Sequence, residues 1–284
     1  MRRMAVAAGL LLALFLYTYF LREPPTPPHT EIRGLTMGTT YTVKIAQADL
    51  DREAATKLKG DIDAYLEDIN RQMSTYLPDS EISTFNQSSS TDPVEVSDDF
   101  AAVARFARAL SEDTEGAFDP TVGPLVNLWG FGADGRNLPE PDAETVAAMR
   151  SMCGYEHLEV TDSNGIRTDF PELEISLAAV AKGHAVDGVA LLLEGHGWKN
   201  YYVEVGGEVR VGGKAPSDRP WRIGVDYPDA ASETGSTLLA ILQLTDCAVA
   251  TSGDYRNFRK DGSGPRKSHF IDPRTGRPVE HPLA

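Results

Sequence analysis

Two aromatic residues and one carboxylate lie in segments that could bind a flat ring. Tyr76 lies within Met73–Asn86, and Phe118 and Asp119 lie within Gly116–Gly132. The faces of Tyr76 and Phe118 can stack on a ring, while Asp119 and the backbone before it can hydrogen-bond the ring's polar edge. Taken alone, each aromatic residue is more typical of core packing, so only the combination indicates a ring-binding site.

A second set of residues suits phosphate and proton transfer. Lys182 lies near the start of a predicted helix, where the helix end and the ammonium group both favour an anion. Gly206 and Gly207 would let the backbone approach a ligand closely, although such a pair is more typical of a hairpin or bulge. His269 can exchange a proton near neutral pH, but beside Asp272 it also fits an ordinary turn histidine.

The chain is acidic, with a formal net charge of −15 over 284 residues. This balance argues against nucleic acid as a partner, because phosphate contacts need a basic footprint. The stretch Arg256–Arg277 is an exception, with seven Lys or Arg residues against two Asp or Glu residues. It is either a solvated loop or a local basic site for a phosphorylated small molecule.

Several common catalytic patterns are missing from the sequence. The glycines at 130, 132 and 135 follow no clear strand and precede no helix start, so we reject a Rossmann-type dinucleotide site. There is no P-loop, H-E-x-x-H, C-x-x-C or G-x-S-x-G pattern, so P-loop hydrolysis, zinc chemistry and serine-hydrolase catalysis lack support. Cys153 and Cys247 could pair in an oxidising compartment, but two small buried side chains are the simpler expectation.

Hydrophobic periodicity defines the elements that must position these residues. The first predicted helix carries one apolar stripe, and Ser97 is the predicted N-cap of the second. The predicted helices are 51–69, the helix that follows Ser97, 142–152 and 180–194, and the predicted strands are 40–46, 157–161, 172–177, 201–205, 221–225 and 237–244. Helices early and strands late predict an α+β fold rather than alternating βαβ units.

The N-terminus predicts a membrane anchor. Met4–Leu21 is an uncharged run of 18 residues, near the minimum for a bilayer span. Arg2 and Arg3 precede it, which places the N-terminus in the cytoplasm and the remainder in the periplasm, at a bacterial inner membrane. Pro24–Pro28 forms a stiff spacer. We therefore expect residues 1–30 to form the anchor and spacer and residues 31–284 the globular domain, with a cleaved signal as the alternative.

Five ordered motifs carry a resemblance to a known family. The motifs are STY-PDSEIS-FN, GAFDPTVGPLVNLWGFG, AKGHAVD, ATSGDYRN and SH-IDPRTG. In this order they resemble the FAD:protein FMN transferase family, and the resemblance runs from about Leu35 to Val279. It implies a two-lobed α+β domain with mixed or antiparallel sheets and flanking helices.

The resemblance also implies roles for individual residues. His269 corresponds to the family's histidine, and the backbone carbonyl of Ala179 corresponds to a magnesium ligand. Ser176 occupies a cofactor-binding position where the family usually has an Asp, so the hydrogen bond is kept and the charge is lost. The remaining FAD contacts fall on Met37, Tyr76, Ala117, Phe118, Asp119, Lys182 and Ile271.

The implied reaction transfers FMN from FAD, the substrate, to a Thr or Ser hydroxyl of a partner protein, with Mg²⁺ as cofactor and AMP as product. The resemblance points to acceptor subunits of membrane redox complexes. Family members continue past the IDPRTG-type segment to an Asp and a Thr that complete the metal site. We therefore expect the C-terminal end of the domain to be missing here, FAD to bind weakly at best, and FMN transfer to be slow or absent. The alternatives are a membrane-tethered FAD-binding protein and an FAD pyrophosphate hydrolase.

Overall fold

The computed structural model describes residues 28–132, 138–228, 235–254, 258–260 and 266–280. The predicted anchor and most of its proline-rich spacer fall in residues 1–27, outside these ranges. No helix within the ranges is both long enough and apolar enough to span a bilayer.

The strands of the described ranges pair antiparallel throughout. The largest sheet has the order β1-β2-β6-β7-β10, and the smaller sheets are β3-β5-β4, β8-β9, β11-β12 and β13-β14. The strands are β1 (His29–Thr36), β2 (Thr39–Ala46), β3 (Val94–Glu95), β4 (Leu158–Val160), β5 (Gly165–Thr168), β6 (Tyr201–Val205), β7 (Glu208–Gly212), β8 (Trp221–Asp226), β9 (Leu238–Leu244), β10 (Cys247–Val249), β11 (Phe258–Lys260), β12 (Arg266–Ser268), β13 (Ile271–Asp272) and β14 (Arg277–Pro278).

The helices begin at side-chain caps or at turns. Asp51 accepts a hydrogen bond from the Ala54 N–H at 2.8 Å at the start of α1, and Ser97 caps α3, which confirms the predicted N-cap. The helices are α1 (Arg52–Met73), α2 (Glu81–Asn86), α3 (Asp98–Asp113), α4 (Gly123–Leu128), α5 (Ala143–Arg150) and α6 (Ala178–Gly195), with a 3-10 turn at Tyr155–His157. Mixed helices and antiparallel sheets confirm the predicted α+β class.

The main hydrophobic core lies between the central sheet and helices α1, α3 and α6. Along β2 the buried side chains alternate, so that Tyr41, Val43 and Ile45 face the helices. The predicted apolar stripe of α1 is buried against them and comprises Leu58, Ile62, Leu66 and Ile69. A smaller hydrophobic cluster around Trp221 and Ile223 joins the β8-β9 sheet to β7.

The structure corrects two sequence predictions. Residues 172–177 are not a strand and have no regular secondary structure. Their backbone groups bond instead to a side chain and to another loop, as described below. Cys153 is half-buried and Cys247 is exposed, and the two are not bonded to each other. The expectation of two buried cysteines is therefore wrong for Cys247, which lies on the edge strand β10.

Candidate functional site

A cleft of about 930 Å³ brings together the residues that the sequence singled out. This volume is within the range of sites that bind small molecules and cofactors. Of the ten predicted site residues, nine line the cleft: Tyr76, Ala117, Phe118, Asp119, Ser176, Ala179, Lys182, His269 and Ile271. They come from four separate stretches of chain, so the cleft exists only in the folded molecule.

Met37 is the tenth predicted site residue and does not line the cleft. It lies in the turn between β1 and β2 with a φ of 48°, and its side chain packs against the main core. The same turn borders the cleft indirectly, because Thr39 lies beside Gly206, and Gly206 lies beside Lys182. Contact between Met37 and FAD stays a prediction.

The aromatic residues of the cleft differ in exposure. Tyr76 has 68% of its surface exposed, in the turn before α2, and is available to stack on a ligand. Phe118 is half-buried and also packs against the main core. Phe131 lies on the His269 side of the cleft, so flat apolar surfaces come from three different loops.

Asp119 is buried and organises its own loop. Its Oδ1 atom accepts hydrogen bonds from the Thr121 N–H at 2.8 Å and the Thr121 hydroxyl at 2.7 Å, and its Oδ2 atom accepts from the Tyr155 N–H at 3.2 Å. Burial raises the pKa of Asp119, and the bonds from Thr121 and Tyr155 oppose that shift. Most of its accepting capacity is therefore used within the protein.

The segment 172–177 is positioned by a side chain far away in sequence. The Asn86 amide donates to the Ile175 carbonyl and accepts from the Ile175 N–H, both at 2.9 Å. The Ser176 N–H donates to the Pro120 carbonyl at 2.7 Å. These bonds take the place of the backbone hydrogen bonds that a neighbouring strand would supply. They hold the segment so that Glu174 and Ser176 both reach the cleft.

Lys182 extends from the second turn of α6 and forms an ion pair across the cleft wall. Its Nζ atom lies 2.9 Å from Glu208 Oε1 and 3.4 Å from the Gly206 carbonyl oxygen. Gly206 and Gly207 form the β6-β7 hairpin turn, with φ angles of 55° and 100°. A Cβ atom on Gly206 would lie 2.8 Å from Thr39 Cγ2, so only glycine allows this approach.

The start of α6 borders the cleft beside Lys182. Ala178 and Ala179, in the first turn of the helix, are exposed and line the cleft. The first turn of a helix carries unpaired N–H groups and a partial positive charge. This end of the cleft is therefore suited to an anion such as phosphate.

His269 lies close to two phenylalanine rings. Its ring centroid is 4.2 Å from that of Phe270 and 6.3 Å from that of Phe131. The position depends on the β13-β14 hairpin, which is held by a hydrogen bond of 2.8 Å from the Trp129 indole to the Gly276 carbonyl. The φ of 68° at Gly276 suits glycine.

Most of the basic stretch is engaged within the protein rather than open to the cleft. Arg259 donates to the carbonyls of Trp129 and Leu138, and Lys267 pairs with Glu140. Arg266 pairs with Asp254, and Arg274, which lines the cleft, pairs with Asp272. In the described part of this stretch, Arg259 and Lys267 therefore hold the β11-β12 hairpin against Trp129, Leu138 and Glu140.

The described residues contain no group of three His, Cys, Asp or Glu side chains placed to hold a metal ion. Ala179 is in the first turn of α6, where its carbonyl oxygen is the predicted magnesium ligand. Mg²⁺ is usually bound through one or two carboxylates together with substrate phosphates.

The cleft residues that the sequence did not single out include Asn86, Phe131 and Glu174. Asn86 and Phe131 lie inside motifs that were recognised, but nothing in a motif tells which member bonds to a distant loop. Glu174 lies two residues before Ser176, and this spacing puts both on one side of an extended segment. The prediction of an ordinary strand for this segment gives no reason to single out Glu174.

The fold and the cleft together define an α+β protein of antiparallel sheets with a nucleotide-sized binding site. Residues 37–284 match the model of the ApbE family. The FAD:protein FMN transferase of Vibrio cholerae is 45% identical over 251 residues, which cover 88% of this chain and 73% of the relative. The FAD:protein FMN transferase of Escherichia coli K12 is 36% identical over 282 residues, covering 96% and 79%.

Solved structures give the same result. The flavin transferase ApbE from Vibrio cholerae has a TM-score of 0.79 and 43% identity, covering 89% of this chain and 79% of that one. The apo form of the Pseudomonas stutzeri flavinyl transferase ApbE has a TM-score of 0.78 and 36% identity, covering 90% and 77%. The chain therefore belongs to the ApbE family.

Proposed function

We propose that this protein transfers FMN from FAD to a Ser or Thr hydroxyl of a partner protein and releases AMP. The observation that carries the proposal is the cleft itself, which joins ring-stacking surfaces at Tyr76 and Phe118 to a phosphate-suited end at Lys182. The names of the relatives support the same reaction, since each is an FAD:protein FMN transferase.

In this reaction the acceptor oxygen forms a bond to the phosphorus of the FMN half, and the bond from that phosphorus to the bridging oxygen breaks. AMP leaves with the electron pair. His269 takes the hydroxyl proton and passes it to solvent. Lys182 and the first turn of α6 hold the phosphates, so the protein contributes mainly positioning and charge stabilisation.

We also propose that Mg²⁺ assists the transfer, with the carbonyl oxygen of Ala179 as one ligand. When bound, such an ion would neutralise phosphate charge. Because the described residues bring no cluster of three metal-ligating side chains to this position, we assign no step of the reaction to the metal. Addition of MgCl₂ should raise the melting temperature with FAD present more than without it.

Placement in the cell follows from the N-terminal sequence. We propose that residues 1–30 anchor the protein in a bacterial inner membrane, with the catalytic domain in the periplasm near acceptor subunits of membrane redox complexes. The support is the uncharged run Met4–Leu21 behind Arg2 and Arg3. A reporter fused after Pro28 should be active only when exported, and cytoplasmic activity alone would contradict the proposal.

The reaction can be tested with the whole chain, FAD, MgCl₂ and an acceptor peptide that contains one Thr. We expect the peptide to gain the mass of one FMN unit, with one AMP released for each peptide modified. The matched control is the same peptide with Ala in place of Thr, which should gain no mass.

The alternatives give different products. Release of both FMN and AMP without any peptide modification would indicate an FAD pyrophosphate hydrolase. Binding of FAD without release of AMP would indicate a flavin-binding protein that lacks transferase activity.

A further inference from the structure

The cleft contains a carboxylate that no part of the described protein satisfies. Eight ionisable side chains line the cleft: Tyr76, Asp119, Glu174, Lys182, Glu208, His269, Asp272 and Arg274. Among its carboxylates, Asp119 accepts three hydrogen bonds, Glu208 pairs with Lys182, and Asp272 pairs with Arg274. Within the described ranges, Glu174 has no hydrogen bond and no ion pair.

The position of Glu174 is fixed although its carboxylate is unpaired. Its neighbour Ile175 is held by both ends of the Asn86 amide, and Ser176 is held by the Pro120 carbonyl. The side chain is half-buried and points toward the start of α4, where Oε2 lies 4.0 Å from the place a Cβ would take on Gly123. A rigid backbone therefore presents an accepting group to the cleft.

The location of Glu174 selects the kind of group that it can contact. It lies on the same side of the cleft as the loop of Phe118 and Asp119, since its Oε2 atom lies close to Gly123 and the Ser176 N–H donates to the Pro120 carbonyl. Lys182 and the start of α6 form the end suited to phosphate. A carboxylate repels phosphate and accepts from N–H groups, so Glu174 suits the edge of a ring.

We infer that Glu174 is a substrate-contacting residue that accepts a hydrogen bond from a ring-edge N–H of FAD. Both rings of FAD carry such a donor: the ring N–H of the flavin and the amino group of the adenine. The inference rests on the proposed function, and it assigns to Glu174 the contact that the internally bonded Asp119 is poorly placed to make.

Binding should reveal the contact directly. FAD affinity is measured by flavin fluorescence on the whole chain and on three variants. Glu174→Leu keeps a similar volume without an acceptor and should raise the Kd for FAD roughly tenfold or more, the scale of a hydrogen bond to a charged group. Glu174→Gln keeps an accepting oxygen and should raise it less. The matched control is Glu172→Gln, an exposed carboxylate outside the cleft, which should change nothing.

Two fragments identify the ring. Riboflavin carries only the flavin ring, and ADP carries only the adenine ring. A weakened affinity of Glu174→Leu for riboflavin assigns the contact to the flavin, and a weakened affinity for ADP assigns it to the adenine. A loss for FAD that appears with neither fragment would contradict a ring-edge contact.

Glu174→Gln should weaken FAD binding but stabilise the ligand-free fold. Burial raises the pKa of Glu174, and the charges of Glu174 and Asp119 both raise the pKa of the Cys153 thiol. A raised folded-state pKa means that stability falls as the pH rises through that pKa. Glu174→Gln should therefore raise the melting temperature of the ligand-free chain, and more at pH 8 than at pH 5. If Glu174 were needed only for folding, its substitution would instead lower the melting temperature.

The outcomes separate the two proposals. Equal FAD affinity of Glu174→Leu and the wild-type chain overturns the role of Glu174 and leaves FMN transfer standing. A wild-type chain that binds no FAD overturns both.

Discussion

At the scale of single residues, two kinds of side chain line the cleft. Some are hydrogen-bonded within the protein, and others are open to a ligand. Asp119 is 8% exposed and bonded to Thr121 and Tyr155, whereas Tyr76 is largely exposed. From the sequence alone, an aspartate and a tyrosine are equally suited to contact a ligand. Burial and hydrogen-bond partners distinguish them, because an acceptor already used inside the protein has little left for a ligand.

Asp119→Asn should destabilise the fold. The amide nitrogen would take the place of an accepting oxygen, so one donor would face the N–H of Thr121 or Tyr155. We expect a loss of about 1–3 kcal/mol in the free energy of unfolding, the scale of an unsatisfied buried group, measured by urea denaturation. The control Glu156→Gln changes an exposed carboxylate nearby. Unchanged stability would show that Asp119 is free for a ligand.

Lys182 should distinguish FAD from riboflavin. Lys182→Met should raise the Kd for FAD about tenfold and leave that for riboflavin unchanged, because riboflavin has no phosphate. Glu208→Gln should not weaken FAD binding, since Glu208 competes with the phosphates for the Lys182 ammonium group. Lys199→Met, an exposed lysine outside the cleft, is the control. An equal loss for both flavins would contradict a phosphate role.

At the scale of elements, side chains of one helix connect several parts of the fold. On α6, Lys182 pairs with Glu208, His184 lies 3.0 Å from Asp99 on α3, and Asp187 lies 2.9 Å from Arg210 on β7. Two of these three pairs lie outside the cleft. The AKGHAVD motif therefore positions the helix against the sheet and α3 as well as supplying a ligand-binding lysine.

The Asn86 amide is the second connection at this scale. Asn86→Ala should leave the N–H and carbonyl of Ile175 without partners and cost about 1–3 kcal/mol. Amide exchange of Ile175 and Ser176 should become faster while that of α1 stays slow. FAD affinity should also fall, because the Asn86 amide no longer holds the backbone that positions Glu174 and Ser176. Thr84→Ala, an exposed residue on the same short helix, is the control. Unchanged exchange at Ile175 would refute this role.

At the scale of the whole molecule, the β8-β9 sheet carries an apolar surface that the described residues leave open. Leu239 and Ile241 are 62% and 48% exposed on β9, while Leu242 and Leu244 pack inward against the smaller hydrophobic cluster. An exposed apolar strand at a sheet edge favours association between chains.

Charged residues on that surface should reduce association between chains. The double variant Leu239→Lys and Ile241→Lys should increase the monomer fraction in size-exclusion chromatography and leave FAD affinity unchanged, because neither residue lines the cleft. Ile223→Lys, on the buried face of the partner strand, should instead destabilise the chain. A monomer fraction that does not rise would show that this surface does not drive association.

The sequence by itself determined the features that depend on local pattern. The apolar stripe of α1, the Ser97 cap and the strands β2, β6, β8 and β9 were predicted because period, cap chemistry and β-branched content act over a few residues. The ordered motifs likewise predicted seven of the cleft residues, and Ser176 and Ala179 were predicted from their spacing to Lys182, because motif and spacing both act over short contiguous stretches.

Tertiary structure decided what depends on distant contacts. The Asn86 bonds to Ile175, the Trp129 bond to Gly276 and the Lys182 pair with Glu208 join residues that lie 89, 147 and 26 positions apart. A local pattern does not specify which distant group will meet a given side chain. The same applies to Glu174, because the unpaired state of a carboxylate is a property of everything around it. Segment 172–177 was predicted as a strand for this reason: its partners are an amide side chain and a loop carbonyl rather than another strand.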